Sequence, residues 1–168
     1  HRGTVQDNSL TAIGNHNLIM AYVHIGHDSI VHNHCILVNN AALAGHVVVH
    51  DWAILSGFTL VHQFCQIGQH AFTGMGTAVG KDIPAYMMIN GNPAQVHGIN
   101  SEGLKRRGFT AEQILDLRKA YKVIYRQGNT VEEAVTRLKS LQQQAPASHD
   151  AVQLLVDSLL TSKRGIVR

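Results

Sequence analysis

From Ile13 to Val79, a large aliphatic residue returns every six positions: Ile13, Ile19, Ile25, Val31, Leu37, Leu43, Val49, Leu55, Val61, Ile67 and Val79, with Thr73 the exception. Four positions after each of these stands a second set, most of it small: Asn17, Val23, Ser29, Cys35, Ala41, Val47, Ala53, Thr59, Cys65, Ala71, Thr77 and Ile83. A helix needs a period of about 3.6 and a half-buried strand a period of 2. A sustained period of six, pairing a large inward residue with a small one, predicts a parallel β-helix in which each hexad is one short strand and a corner. Cys35 and Cys65 fall on the small set and read as core residues.

In a three-sided prism, three hexads complete one coil. Residues 18 apart then stack about 4.8 Å from one another. This register sets Asp28 beneath His46 and His46 beneath Phe64. It sets His27 beneath Gly45 and Gly45 beneath Gln63. With His24 and His62 beside the same edge, His24, His27, Asp28, Gly45, His46, His62 and Gln63 are expected to form one patch. His32, His34, His50 and His70 fall on another side and read as polar residues tolerated at exposed corners.

The pattern changes after "NGNPAQVHGINSEG", residues 90–103, which reads as a link between two architectures. Residues 1–100 are expected to be a catalytic β-helix and residues 101–168 a small helical domain. Thr110 with Gln113, and Thr130 with Glu133, match capping boxes. Ile114, Leu117, Ala120, Tyr121 and Ile124 keep helical spacing, and Gly128 is a stop. A second helix is predicted over about 131–143, broken at Pro146, and a third over about 149–162 with Ser148 as its cap.

Charge follows the same division. No Lys or Arg occurs between residues 13 and 80, and the only acids there are Asp28 and Asp51. Lys105, Arg106, Arg107, Arg118, Lys119, Lys122 and Arg126 give the helical part a basic face suited to phosphate or acidic surfaces. The net charge of +3, with no basic stripe on the β-helix, argues against nucleic acid. No run of 18 apolar residues suggests a membrane span. Two cysteines give no disulfide framework. The chain starts at "HRGTVQ" with neither an initiator Met nor a signal peptide, so it is expected to be a piece of a longer protein.

Histidine beside a carboxylate is what general-base chemistry needs: the acid fixes the tautomer and the imidazole takes the proton. Gly45 above His27 would leave room for substrate and an accessible backbone amide as an oxyanion donor. A rival is a zinc site built from three imidazoles, with His27 and His62 at a suitable separation. The residue five after His62 is Ile67, which departs from the ligand spacing of β-helical carbonic anhydrases.

The segments "HRGTVQ", "VHIGHD", "LAGHV", "VHQF", "GNPA", "EGLKRRGF" and "AYKVIYRQG" resemble those of UDP-N-acetylglucosamine O-acyltransferases, hexapeptide-repeat enzymes of lipid A synthesis. The resemblance implies a left-handed, three-sided β-helix with further coils before residue 1. It also implies a homotrimer in the Gram-negative cytoplasm with active sites in the clefts between neighbours. The implied reaction moves a 3-hydroxyacyl group from acyl carrier protein to the glucosamine 3-hydroxyl of UDP-N-acetylglucosamine, with no metal and no cofactor. His27 is then the general base, Asp28 its orienting carboxylate, and Gly45 the amide that meets the thioester oxygen. His24 and His46 contact substrate. His62, Gln63, Asn100, Glu102, Arg106 and Arg107 surround the nucleotide and donor, with Arg106 the phosphate partner. Met75 is the ruler for acyl length, and methionine there implies a 3-hydroxydecanoyl chain. A scaffold reading, with the β-helix as a passive trimerisation rod and the basic helices as a docking surface, is the alternative to an enzyme.

Overall fold

The structure is a computed structural model that describes residues 1–5 and 9–168. Twelve two-residue strands follow the hexads: Ala12–Ile13 (β1), Leu18–Ile19 (β2), His24–Ile25 (β3), Ile30–Val31 (β4), Ile36–Leu37 (β5), Ala42–Leu43 (β6), Val48–Val49 (β7), Ile54–Leu55 (β8), Leu60–Val61 (β9), Gln66–Ile67 (β10), Phe72–Thr73 (β11) and Ala78–Val79 (β12). Each of the first nine pairs in parallel with the strand three further on, so β1, β4, β7 and β10 form one face, β2, β5, β8 and β11 a second, and β3, β6, β9 and β12 a third. The register is the one the period requires, for example Ala12 with Ile30 and His24 with Ala42. The result is a three-sided parallel β-helix.

The inward residues fill the prism. Leu37, Leu43, Val49, Leu55 and Ile67 are fully buried, as are Cys35 and Cys65. Polar residues sit in the same core and are satisfied within it. Thr73 Oγ1 lies 2.8 Å from Thr59 Oγ1 and accepts from the Ser56 amide. Ser29 Oγ donates to the Ala44 carbonyl and accepts from the Val47 amide. Such internal partners remove most of the cost of burying a hydroxyl.

The corners have a period of six of their own. His16, Tyr22, Asp28, His34, Asn40, His46, Trp52, Phe58, Phe64 and His70 all have positive φ, between 57° and 67°. This region is unfavourable for most L-residues and is populated chiefly by Gly, Asn, Asp and His. Aromatic residues hold it here because each corner residue leans on the one a coil away. Three columns result: one through Asp28, one through Trp52, and one ending near Met75.

The expected link is a structured hairpin. Met87–Asn90 (β13) adds in parallel to β11, and Gln95–Ile99 (β14) pairs with it antiparallel, extending the second face to six strands. The turn signals at Gly91 and Pro93 are those of a hairpin loop, not of a linker. A short helix missing from the expectation, Ser101–Arg106 (α1), follows directly. Ala111–Tyr125 (α2) and Val131–Gln144 (α3) start at the two capping boxes as predicted, both with their reciprocal hydrogen bonds formed. His149–Leu160 (α4) follows a 3-10 turn at Pro146–Ser148. Ser148 does not cap α4 with its side chain: its hydroxyl donates to Asp116 on α2 at 2.7 Å.

Packing crosses the expected boundary at residue 100. One apolar core joins Ile83, Met87 and Ile99 to Leu104, Leu117, Leu155 and Val167. The buried Asp82 carboxylate accepts from the Gln66 amide, the Ser162 hydroxyl and the Lys163 and Arg164 amides, fastening the C-terminal tail to the β-helix. No helix among the described residues is long and apolar enough to cross a membrane.

Candidate active site

The corner between the third face and the first carries Asp28, His46 and Phe64 in one column, as the register of 18 predicts. The Asp28 side chain is completely buried, whereas 46% of the His27 side chain is exposed. His27 Nδ1 lies 2.9 Å from Asp28 Oδ2. A carboxylate only accepts, so Nδ1 carries the proton and Nε2 is the basic nitrogen. The acid is held from below as well. The Thr4 amide donates to both of its oxygens, at 2.9 and 3.1 Å, and the Thr4 hydroxyl donates to Oδ2 at 2.7 Å. The Asp28 amide in turn donates to Thr11 Oγ1. Burial pushes the Asp28 carboxyl up, but the hydrogen bonds from His27 and Thr4, with the charge of His46, bring it down to about 2. It is an anion throughout the neutral range.

The open space expected beside Gly45 is taken. The glycine is buried, and the space its missing side chain leaves is filled by the His27 ring. A Cβ built there would lie 2.6 Å from both His27 Cε1 and Nε2. Glycine therefore makes room for the imidazole itself. The His46 ring meets that of His27 edge-on at 4.9 Å and stacks on Phe64 at 4.5 Å. His24 Nδ1 lies 3.0 Å from the Leu43 carbonyl, which fixes its ring on the same face. His62 and Gln63 are exposed at the top of the corner, beside an open groove of about 370 Å³ lined by Leu60, His62, Ala78, Gly80, Asn92 and Pro93.

The remaining candidates lie elsewhere in the chain. Asn100 caps α1 by accepting from the Gly103 amide, and its Nδ2 donates to the His70 carbonyl at 3.1 Å. Glu102 pairs with Lys105 at 2.7 Å on the exposed side of α1. Arg106 is exposed at the end of α1, and Arg107 folds back over Trp52. Asn100 and Arg107 belong to the Trp52 corner, one face away from His27, and Glu102 and Arg106 lie between them in the chain on α1. Met75 stands at the third corner and is 77% exposed, so it plugs no gap within its own chain.

Sequence reasoning missed the support around Asp28: the contact from Thr4 spans 24 residues and follows no repeat. It also misjudged His70. That residue is 5% exposed and stacks on Tyr86 and edge-on to Phe109, both supplied by segments beyond the regular hexads.

Among the described residues, one group could hold a metal ion: His27, Asp28 and His46, with ligand atoms within 4.8 Å of one another. His62, the other member of the zinc alternative, is not in it. The Asp28 oxygens are already committed to His27 and Thr4, so a cation would have to displace these donors.

A three-sided β-helix of hexads with a histidine-carboxylate pair on one corner places the chain among the hexapeptide-repeat proteins. Residues 11–45 match the family model of the bacterial transferase hexapeptide. Residues 82–167 match that of UDP-N-acetylglucosamine O-acyltransferase, domain 2. The acyl-(acyl-carrier-protein)–UDP-N-acetylglucosamine O-acyltransferase of Ectopseudomonas mendocina is 64% identical over all 168 residues. Among solved structures, UDP-N-acetylglucosamine O-acyltransferase from Moraxella catarrhalis superposes with a TM-score of 0.95 at 43% identity, over 100% of this chain and 64% of that one. The Francisella novicida UDP-N-acetylglucosamine acyltransferase gives 0.93 at 44% identity, over 99% and 59%. The chain belongs to the UDP-N-acetylglucosamine O-acyltransferase family. It spans 64% of the length of the curated relatives it matches.

Proposed function

We propose that this chain supplies the catalytic corner of an enzyme that transfers a 3-hydroxyacyl group from acyl carrier protein to the 3-hydroxyl of UDP-N-acetylglucosamine. The observation that carries this reading is the half-exposed His27, whose Nε2 is left basic by an Asp28 that is buried and saturated with donors. His27 Nε2 takes the proton of the sugar hydroxyl as its oxygen attacks the thioester carbonyl. The carrier thiolate leaves and takes that proton back. Asp28 keeps the tautomer and stabilises the imidazolium between the two transfers. The Gly45 amide, which donates to no described residue, meets the developing oxyanion. The chemistry needs no metal and no prosthetic group, since the activated acyl group arrives on its carrier.

Three corners of one chain carry different parts: the base at His27, the cations at Arg106 and Arg107, and an exposed Met75. Side-by-side packing of three chains in a homotrimer joins one copy's base to another's binding groups in the clefts between them. His24, His46, His62 and Gln63 line the sugar side of such a cleft, with Asn100 and Glu102 on the nucleotide side. The basic α2 face suits the acidic carrier. The cytoplasm, where nucleotide sugars and carrier-bound acyl chains meet, is the compartment this requires.

Met75 sets the chain length. Each buried methylene gains about 0.8 kcal/mol only where there is room, and forcing carbons against a methionine costs about 1–3 kcal/mol. The preferred donor is therefore 3-hydroxydecanoyl. Assays of the full-length protein with ten-, twelve- and fourteen-carbon 3-hydroxyacyl donors test both points. Transfer to UDP-N-acetylglucosamine with a ten-carbon preference, moved toward fourteen by Met75→Gly, is expected. No transfer from any donor would overturn the activity; an unmoved preference in Met75→Gly would overturn the ruler alone.

A further inference from the structure

The Trp52 corner is a ladder of rings. His16 and His34 stack at 4.9 Å, His34 and Trp52 at 4.1 Å, Trp52 and His70 at 6.3 Å, and His70 and Tyr86 at 5.6 Å, all within 12° of parallel. The Arg107 guanidinium lies against this ladder. Its carbon is 5.3 Å from the centre of the Trp52 ring, and one of its nitrogens is 3.4 Å from His70 Nδ1. Arginine has five donors and no acceptor. Facing that donor, Nδ1 is the bare nitrogen of a neutral imidazole and the proton sits on Nε2; the Gln69 side-chain amide, 3.5 Å from Nε2, accepts that proton only when its oxygen is turned toward the ring. No carboxylate pairs with Arg107 among the described residues. A ring face and a neutral nitrogen orient its charge without cancelling it, and the other guanidinium donors stay available to an anion.

His70 also controls where that guanidinium starts from. Its carbonyl oxygen accepts from Asn100 Nδ2 at 3.1 Å, and Asn100 caps the first turn of α1 through the Gly103 amide. Arg107 is the residue that ends the same helix. One buried residue thus grips α1 at its beginning through the backbone and at its end through the ring. Burial, with the Arg107 charge beside it, pushes the imidazole down to about 4, so it stays an acceptor at neutral pH.

We propose that His70 is a positioning residue for binding the nucleoside-diphosphate sugar, holding the uncancelled Arg107 guanidinium in place through Nδ1 and the start of α1 through its carbonyl oxygen. This rests on the reading of Arg107 as part of the nucleotide side of the site. A purely structural view makes His70 one more ring in the stack.

Two substitutions in the full-length protein separate these views. His70→Phe keeps the ring and loses the acceptor, and the backbone tolerates it, since Phe58 and Phe64 hold the same positive φ at equivalent corners. His70→Asn loses the ring and keeps an oxygen near the Nδ1 position, as Asn40 does at φ 62°. The expected result is a KM and a calorimetric Kd for UDP-N-acetylglucosamine raised about tenfold in His70→Phe. Its kcat and its KM for the acyl donor should stay near those of the parent. His70→Asn should bind the sugar nucleotide better than His70→Phe although it melts lower. A parent-like KM in His70→Phe, or weaker binding in His70→Asn than in His70→Phe, overturns the positioning role. If the unaltered protein binds no UDP-N-acetylglucosamine, the functional reading fails and this inference fails with it.

Discussion

The His27 corner and the Trp52 corner are built from the same repeat, with the same positive φ and the same stacking at 18 residues, yet they serve opposite ends. At the His27 corner, the column is anchored by a buried carboxylate, and 46% of the imidazole side chain stays exposed. At the Trp52 corner, the column contains no acid and is closed by Tyr86, Phe109 and Arg107. The same side chain is therefore half exposed beside a carboxylate at one corner and a buried acceptor at the other. Histidine content alone says little about chemistry; the partner on one side and the cover on the other decide it.

The largest contrast is in turnover. His27→Ala should lower the rate about 10²–10⁴-fold with circular dichroism and melting close to the parent. Retention of more than half the rate would remove the functional distinction between the corners. Gly45→Ala comes next. Its methyl group would push the His27 ring aside, and misplacement of a catalytic group by about 1 Å costs up to about 10²-fold. Stability should change little because only a side chain has to move, and in a His27→Ala background the second change should add no further loss. An additive loss would mean that Gly45 acts without His27.

Acid separates the corners by window. The folded pKa of His70, about 4, lies below its ordinary 6.5. Between these values the unfolded chain binds a proton that the folded chain refuses, so stability falls as pH drops from 6.5 to 4, by about 3 kcal/mol. Asp28 has its folded pKa depressed to about 2 from 3.8, so its contribution is complete above about 4 and is lost only as pH falls toward 2. Burial also holds the His50 imidazole below its ordinary value, so urea unfolding at a series of pH values should show the higher window shrink in His70→Asn, leaving the smaller part that His50 contributes, and persist undiminished in Asp28→Asn. A window undiminished in His70→Asn would assign the acid sensitivity elsewhere. The smallest effect is expected at His34, stacked between His16 and Trp52. His34→Asn, which suits the positive φ, should cost about 0.5–1.5 kcal/mol of stability and leave the rate unchanged. A lost rate would make the ladder part of the reaction.

The chain's period was enough to determine the β-helix, its inward residues and the column from Asp28 to Phe64. In a solenoid each residue meets its counterpart one coil away, so sequence separation translates directly into contact. The capping boxes at Thr110 and Thr130 were equally legible because every partner lies within one turn. What the tertiary structure alone decided has no period. Thr4 reaches Asp28, Phe109 and Arg107 close over the Trp52 ladder, and the C-terminal tail returns to Asp82, all across long and irregular separations. Gly45 was legible as a glycine in the right column, but what fills the space beside it was not. Only the packed structure places the His27 ring in the space where a Cβ would stand, since side-chain direction is set by neighbours the sequence does not order.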